Sequence, residues 1–274
     1  MGYTLDGLYA IKDLVIVVTG ASGGIGSEIC KAILDLGGIV AAVVRSETST
    51  EKLLTALGRD YSEDRLYFAQ ADLTDEAQVR TAMADIFHHF GRIDGLVNAG
   101  GMNIIEALDD ITMADFSRVM DTNFTALVMS CKYAGHYMLQ AGRGRIVNLS
   151  SLSAIKGKPF YTAYAASKAA VDSFTRALAI EWARKGINVN AVAPSIIVTE
   201  INRRQIESNP ESYEKRISNI PRGCPGRPEW LISPIIMLLS PGAVHLTGTT
   251  LFVDGGCSAG DCFIMEKERF DKWR

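Results

Sequence analysis

A six-residue apolar run, Leu14–Thr19 (LVIVVT), passes directly into TGASGGIG and then into SEICKAILDLGG. A continuous apolar, β-branched run reads as a strand covered on both faces, as in a parallel sheet. Ile25, Ile29, Ala32, Ile33 and Leu36 then recur at helical spacing. Between strand and helix, Gly20, Gly24 and Gly26 let the backbone turn tightly, approach a pyrophosphate and pack the helix on the strand. The helix N-terminus aims amides and a positive dipole end at the phosphates. Gly20, Ser22, Gly24, Ile25 and Gly26 are therefore candidate cofactor contacts. This strand, turn and helix together predict a dinucleotide-binding α/β sheet.

Further runs extend the pattern. Ile39–Val44 reads as a second strand ending in Val44-Arg45-Ser46. An NAD site needs a carboxylate near that strand end for the ribose 2′-hydroxyl, whereas an arginine accommodates a 2′-phosphate. Val44 offers no carboxylate, and the Arg45 guanidinium suits phosphate oxygens. Arg45 also fits a solvated loop residue; the reading adopted is NADP at Arg45 and Ser46, with NAD second. Leu66–Ala71 predicts a third strand, with Asp72 opening the next helix as a turn or N-cap residue. Thr74–Phe90 is helical and ends at Gly91 as a C-cap. Asp94–Val97 is a fourth strand leading into Asn98-Ala99-Gly100-Gly101, on its residues alone a turn. Ala114–Gln140 is a long helical stretch containing Asn123, an amide that needs partners if buried. Gly144–Leu149, Ile187–Ala193 (ended by Pro194) and Thr249–Val253 complete the strands. The polar segment from Glu200 to Pro225 lies beyond a strand carboxyl end, where α/β folds bind ligands. Residues 195–226 thus form a candidate substrate lid, and 257–274 a C-terminal tail. No linker or repeat divides the 274 residues, so one domain is expected.

Tyr164 and Lys168 stand at i and i+4 in an Ala-rich helical stretch, on one helix face. A lysine charge there would favour the phenolate and lower a pKa that is about 10 in water. A tyrosine so tuned exchanges protons near neutral pH, as general acid–base catalysis requires. A tyrosine packed on a lysine stem is the plain structural alternative.

Other classes find little support. The five cysteines are odd in number and contain no C-x-x-C pair, which points to a reduced, cytoplasmic protein without a disulfide framework or zinc ribbon. The four histidines lack H-E-x-x-H spacing, so no metal is expected. No signal segment or membrane-length apolar run is seen. A net charge of −3 without basic clusters gives no nucleic-acid footprint.

From Lys12 to Gly256 the chain resembles the short-chain dehydrogenase/reductase family. The resemblance rests on Thr-Gly-x-x-x-Gly-x-Gly, Asn98-Ala99-Gly100, Asn123, Ser151, Tyr164 and Lys168. It implies a Rossmann-type, doubly wound parallel sheet of seven strands in the order 3-2-1-4-5-6-7. It also implies that Asp72, with Leu73 beside it, meets the adenine and that Asn98, Ala99 and Gly100 line the cofactor cleft. Pro194 and Thr199 fall at the nicotinamide, Thr199 against its carboxamide, and Lys168 at the nicotinamide ribose. Asn123 would hold a water that joins Lys168 to solvent. Ser151 has the family spacing to Tyr164, with Ser150 and Ser153 as competitors, and would stabilise the substrate oxygen. The family pairs its two longest helices into homotetramers. Ser195 stands where the family has glycine, which questions that loop's backbone.

The expected function is an NADP-dependent oxidoreductase interconverting a secondary alcohol and a ketone, on a small sugar acid, hydroxy acid or polyol. A 3-oxoacyl thioester reductase is the alternative, although Gly142 and Ile180 occupy the places of the usual docking arginines. A non-catalytic dinucleotide-binding scaffold is the alternative from another class. Within the lid, Arg203 and Arg204 are candidate carboxylate clamps or solvated charges.

Overall fold

Strands covered on both faces have no room for polar side chains, and the central strands obey this strictly. β1 (Val15–Thr19) is buried at every position, as are β2 (Ile39–Val44) and β6 (Ile187–Pro194) at all but one. With β3 (Leu66–Gln70), β4 (Gly95–Asn98), β5 (Gly144–Leu149) and β7 (Thr250–Val253) they form one sheet, ordered β3-β2-β1-β4-β5-β6-β7. Every neighbouring pair is parallel. The edge strands β3 and β7 are only partly covered. The computed structural model describes residues 4–59, 61–199 and 210–260.

The two-residue period of the strands divides the core in two. Ile16, Val18, Val40 and Ala42 face a layer built from α2 (Gly24–Asp35), α3 (Glu47–Leu57) and a helix at Ile232–Leu239. Val15, Val17, Ala41 and Val43 face α4 (Glu76–Phe90), α6 (Ala126–Ala141) and α7 (Thr162–Trp182). Helices on both faces of a parallel sheet follow from crossover connections of one hand. The chain runs outward from β1 to β2 and β3 and then crosses back to β4 on the other side of β1, so the crevice opens above the carboxyl ends of β1 and β4.

Most expected elements recur with ends shifted by a residue or two, as fraying termini allow. Several differ in kind. The first dozen residues, without a visible pattern, include a short helix, Leu5–Tyr9, capped by Thr4. Asp72 does not open a helix: its carboxylate accepts from the amide (2.9 Å) and hydroxyl (2.7 Å) of Thr74. Asp75 caps α4 instead, through the Ala77 and Gln78 amides. The stretch over 114–140 is α5 (Met113–Met120) and α6, joined through a π-helical turn at Asp121–Thr125. Pro228–Ser240, helical by its sequence, is a 3-10 turn at Pro228–Leu231 followed by the helix at Ile232–Leu239. Gly91 ends α4 in the left-handed conformation, as read from the sequence. Among the described residues no helix is long and apolar enough to cross a membrane.

Candidate active site

The floor of the crevice is made by close approach of backbones. Gly20 has φ +65°, and a Cβ there would lie 2.5 Å from Gly100 Cα. A Cβ on Gly24 would meet Thr199 Cβ at 2.9 Å, and one on Gly26 would strike the Gly20 carbonyl oxygen. The glycines thus bring the turn after β1, the Ala99-Gly100 loop after β4 and the Thr199 segment after β6 together. Helix α2 begins at this point with Gly23 as N-cap and no side-chain cap. An uncapped helix N-terminus in a glycine cradle fits the pyrophosphate of a dinucleotide.

At the carboxyl end of β2, Val44 is buried and Arg45 is exposed. Ser46 caps α3 by accepting from the Ser49 amide. Arg45 lies near Asp72, whose carboxyl is held below its usual range first by Thr74, with a smaller contribution from Arg45. No carboxylate pairs with Arg45 among the described ion pairs. Leu73 reaches across to Gly100.

Asn98 anchors the middle of the sheet. Its amide donates to Asn148 Oδ1 (2.9 Å) and Cys131 Sγ (3.3 Å), and its oxygen accepts from the Thr19 hydroxyl at 3.3 Å. Asn148 passes the network on to Thr175 of α7 at 2.9 Å. Asn148 and Thr175 were not singled out from the sequence. The only hint was an amide inside the apolar run of β5.

The chemical groups converge at the carboxyl ends of β4 and β5. Ser151, buried after β5, is hydrogen-bonded to the Tyr164 phenol and accepts from the Ser153 amide at 3.1 Å. Its competitors are engaged elsewhere: Ser150 contacts the Lys168 carbonyl at 3.4 Å, and Ser153 serves Ser151 through its backbone. Lys168, 4% exposed, puts Nζ 5.8 Å from the Tyr164 ring centroid and donates to the Leu149 carbonyl at 2.8 Å. A Cβ on Gly101 would lie 3.3 Å from Asn123 Oδ1 and 3.6 Å from Lys168 Nζ, so these two groups flank the same backbone.

Asn123 sits in the π-helical turn, 1% exposed. Its amide donates to the Met102 carbonyl (2.9 Å) and Ser167 Oγ (3.0 Å), while its oxygen accepts from the Met102 amide at 2.7 Å. The side chain is thus committed to tying the loop after β4 to α7.

The electrostatics differ from the expectation in one respect. Burial raises the Tyr164 pKa above the ordinary tyrosine value; the Ser151 hydrogen bond opposes this only partly, and Tyr161 adds to it. The expected lowering by Lys168 is not seen, because Lys168 itself is driven down to about 8 by burial, against the pull of Asp172. Desolvation of both groups outweighs their proximity.

A profile of the short chain dehydrogenase family matches residues 14–210. The chain belongs to that family. Glucose 1-dehydrogenase of Gluconobacter oxydans (strain 621H) is 37% identical over 246 residues, covering 88% of this chain and 90% of the relative. The NAD-dependent glycerol dehydrogenase of Listeria innocua is 31% identical, covering 90% and 95%. The crystal structure of a gluconate 5-dehydrogenase from Burkholderia cenocepacia J2315, in complex with NADP and tartrate, superposes with a TM-score of 0.86 at 28% identity. It covers 93% of this chain and 98% of that one.

Within this short chain dehydrogenase, Ser195 takes no left-handed backbone, since Asp13 and Phe160 are the described non-glycine residues with positive φ. Serine in place of the family glycine therefore creates no strain there. Pro194 is buried at the end of β6, paired with Val253. Arg203 and Arg204 lie outside the described residues. Phe160, just before α7, accepts from the Glu106 amide at 3.1 Å and ties the loop after β4 to the approach of Tyr164.

Proposed function

We propose that this dehydrogenase is an NADP-dependent oxidoreductase that interconverts a secondary alcohol and a ketone on a small sugar acid, hydroxy acid or polyol. The observation that carries this is the hydrogen-bonded Ser151–Tyr164 pair with Lys168 beside it. A bound nicotinamide supplies or accepts the hydride. Tyr164, kept protonated by burial, holds its proton at the substrate oxygen and gives it to the forming alkoxide in the reductive direction. Ser151 orients that oxygen and stabilises its charge. Lys168, with its pKa brought down to about 8, exchanges protons near neutral pH behind Tyr164. Asn123 positions the loop above, and its turn would hold the relay water.

Gly20, Ser22, Gly24, Ile25 and Gly26 would hold the pyrophosphate, with Asp72 and Leu73 at the adenine. Asn98, Ala99, Gly100, Pro194 and Thr199 would line the remaining cleft. Arg45 and Ser46 would take the 2′-phosphate; an exposed guanidinium where NAD sites need a carboxylate supports NADP. The related gluconate 5-dehydrogenase holds NADP and tartrate, which supports both cofactor and acid substrate, although the glycerol dehydrogenase relative uses NAD. Gly142 and Ile180 offer no cation for an acyl carrier, which disfavours a thioester substrate. Residues 195–226 act as the lid in this reading. The exposed Ile180 on α7 suits a homotetramer, and Cys30, Cys131 and Cys224, present as thiols, suit the cytoplasm.

The test is consumption of NADPH and NADH by the purified protein with a panel of ketones, and the reverse with the matching alcohols. Tight NADPH binding with no turnover on any member would return the chain to a binding scaffold.

A further inference from the structure

Lys158 lies on the loop between the Ser151 turn and α7, and its Nζ sits 3.9 Å from the centre of the Tyr161 ring. Tyr161 in turn meets Tyr164 edge to face, with centroids 6.2 Å apart and planes at 82°. Lys158 is therefore one aromatic ring removed from the proposed proton donor. Arg216, on the helix Pro210–Ser218 of the segment after β6, is its cationic neighbour. The two cations lie close enough to repel, and this adds to burial in holding Lys158 down to about 8.

Neither cation has a carboxylate partner among the described ion pairs. Arg216 Nε is buried and has no hydrogen-bond partner among the described residues. The buried guanidinium nitrogens of Arg92 and Arg145 differ from it: Arg92 Nε stands 2.7 Å from Asp94 Oδ2, and Arg145 lies by the same carboxylate. Arg216 instead faces another cation. Two like charges, partly desolvated and without a carboxylate among the described residues, favour an anion beside them.

We propose that Lys158 and Arg216 form a subsite for an anionic group of the substrate, a carboxylate or a phosphate, carried at the end away from the reacting carbinol. The guanidinium presents a planar donor edge to two anion oxygens, and the ammonium supplies a second point charge. Tyr161 packs against both Lys158 and Tyr164, which places the subsite one aromatic ring from the group that meets the reacting oxygen. This assignment rests on the reading of Tyr164 as the group that meets the substrate oxygen. It moves anion recognition from Arg203 and Arg204 to a pair that the sequence holds far apart.

The experiment compares matched sets with the purified enzyme and its preferred cofactor: gluconate, sorbitol 6-phosphate and sorbitol, then glycerate, glycerol 3-phosphate and glycerol. The anionic member should lead its neutral partner in kcat/KM by about 10- to 100-fold, the scale of charged hydrogen bonds. Lys158→Gln and Arg216→Gln should each shrink that ratio about tenfold or more, while Lys158→Arg retains most of it. Circular dichroism checks that each variant is folded. Preference for the acids alone assigns a carboxylate, and preference for the phosphate esters alone assigns a phosphate. Turnover of neutral polyols as good as that of their anionic partners, or a ratio untouched by both Gln variants, overturns the subsite and leaves the proposed activity standing. Absence of turnover for every compound overturns the activity itself, and the subsite with it.

Discussion

Replacing Lys168 by methionine should stabilise the fold while removing activity, and the gain should vanish at high pH. Lys168 is 4% exposed, and burial takes its pKa from the ordinary lysine value of 10.5 to about 8. At about 1.4 kcal/mol per pH unit, that drop corresponds to roughly 3 kcal/mol against the charged folded state. Methionine fills a similar volume without a charge. It leaves the Leu149 carbonyl without its donor, which returns about 1 kcal/mol. Lys168→Met should therefore unfold about 2 kcal/mol later than wild type at pH 7. The sign with pH follows from proton counts. Below pH 8 the lysine is protonated in both states, and the difference between the proteins is flat. Between about 8 and 10.5 the unfolded wild type binds more protons than the folded one, so wild-type stability rises with pH relative to the variant. The wild type should gain roughly 3 kcal/mol on the variant across that window. Cys30 and Cys131, whose pKa values burial raises, act in the opposite direction but are common to both proteins and cancel in the difference. Urea denaturation by circular dichroism at pH 7, 8, 9 and 10, at one protein concentration, measures this. Parallel stability curves for the two proteins, or a variant less stable at pH 7, would refute the argument that burial dominates at Lys168.

Three shorter predictions follow from the same geometry. Tyr164→Phe should abolish turnover and leave NADPH affinity within about threefold, because the phenol serves the substrate proton; substantial residual turnover would sink the mechanism. Arg45→Ala should weaken NADPH by roughly 1.5–3 kcal/mol, the scale of charged hydrogen bonds, and leave NADH nearly unchanged; a wild type that prefers NADH in kcat/KM contradicts the cofactor reading. Asp94→Ala should cost roughly 2–3 kcal/mol of stability. It strips the acceptor from the Val15 amide (2.9 Å) and from Arg92 (2.7 Å), although Arg92 is partly exposed and can turn to water. An unchanged urea midpoint would show that the start of β1 holds without it.

What the sequence determined by itself is what short-range geometry dictates. An apolar β-branched run needs cover on both faces, and three glycines at the turn leave few other uses for it. The i, i+4 spacing puts Tyr164 and Lys168 on one helix face whatever surrounds them. Those local rules were enough for the parallel sheet, its strand positions and the candidate pair. Tertiary structure decided everything that depends on burial or on contacts distant in sequence. Which of three serines meets Tyr164 depends on how the chain leaves β5. The Asn98–Asn148–Thr175 network depends on the register between β4 and β5 and on where α7 lies. The direction of the Tyr164 shift was misread because neighbour charge is visible in a sequence and desolvation is not. Lys158 and Arg216 are unremarkable charges far apart in the chain, and only the tertiary fold makes them neighbours.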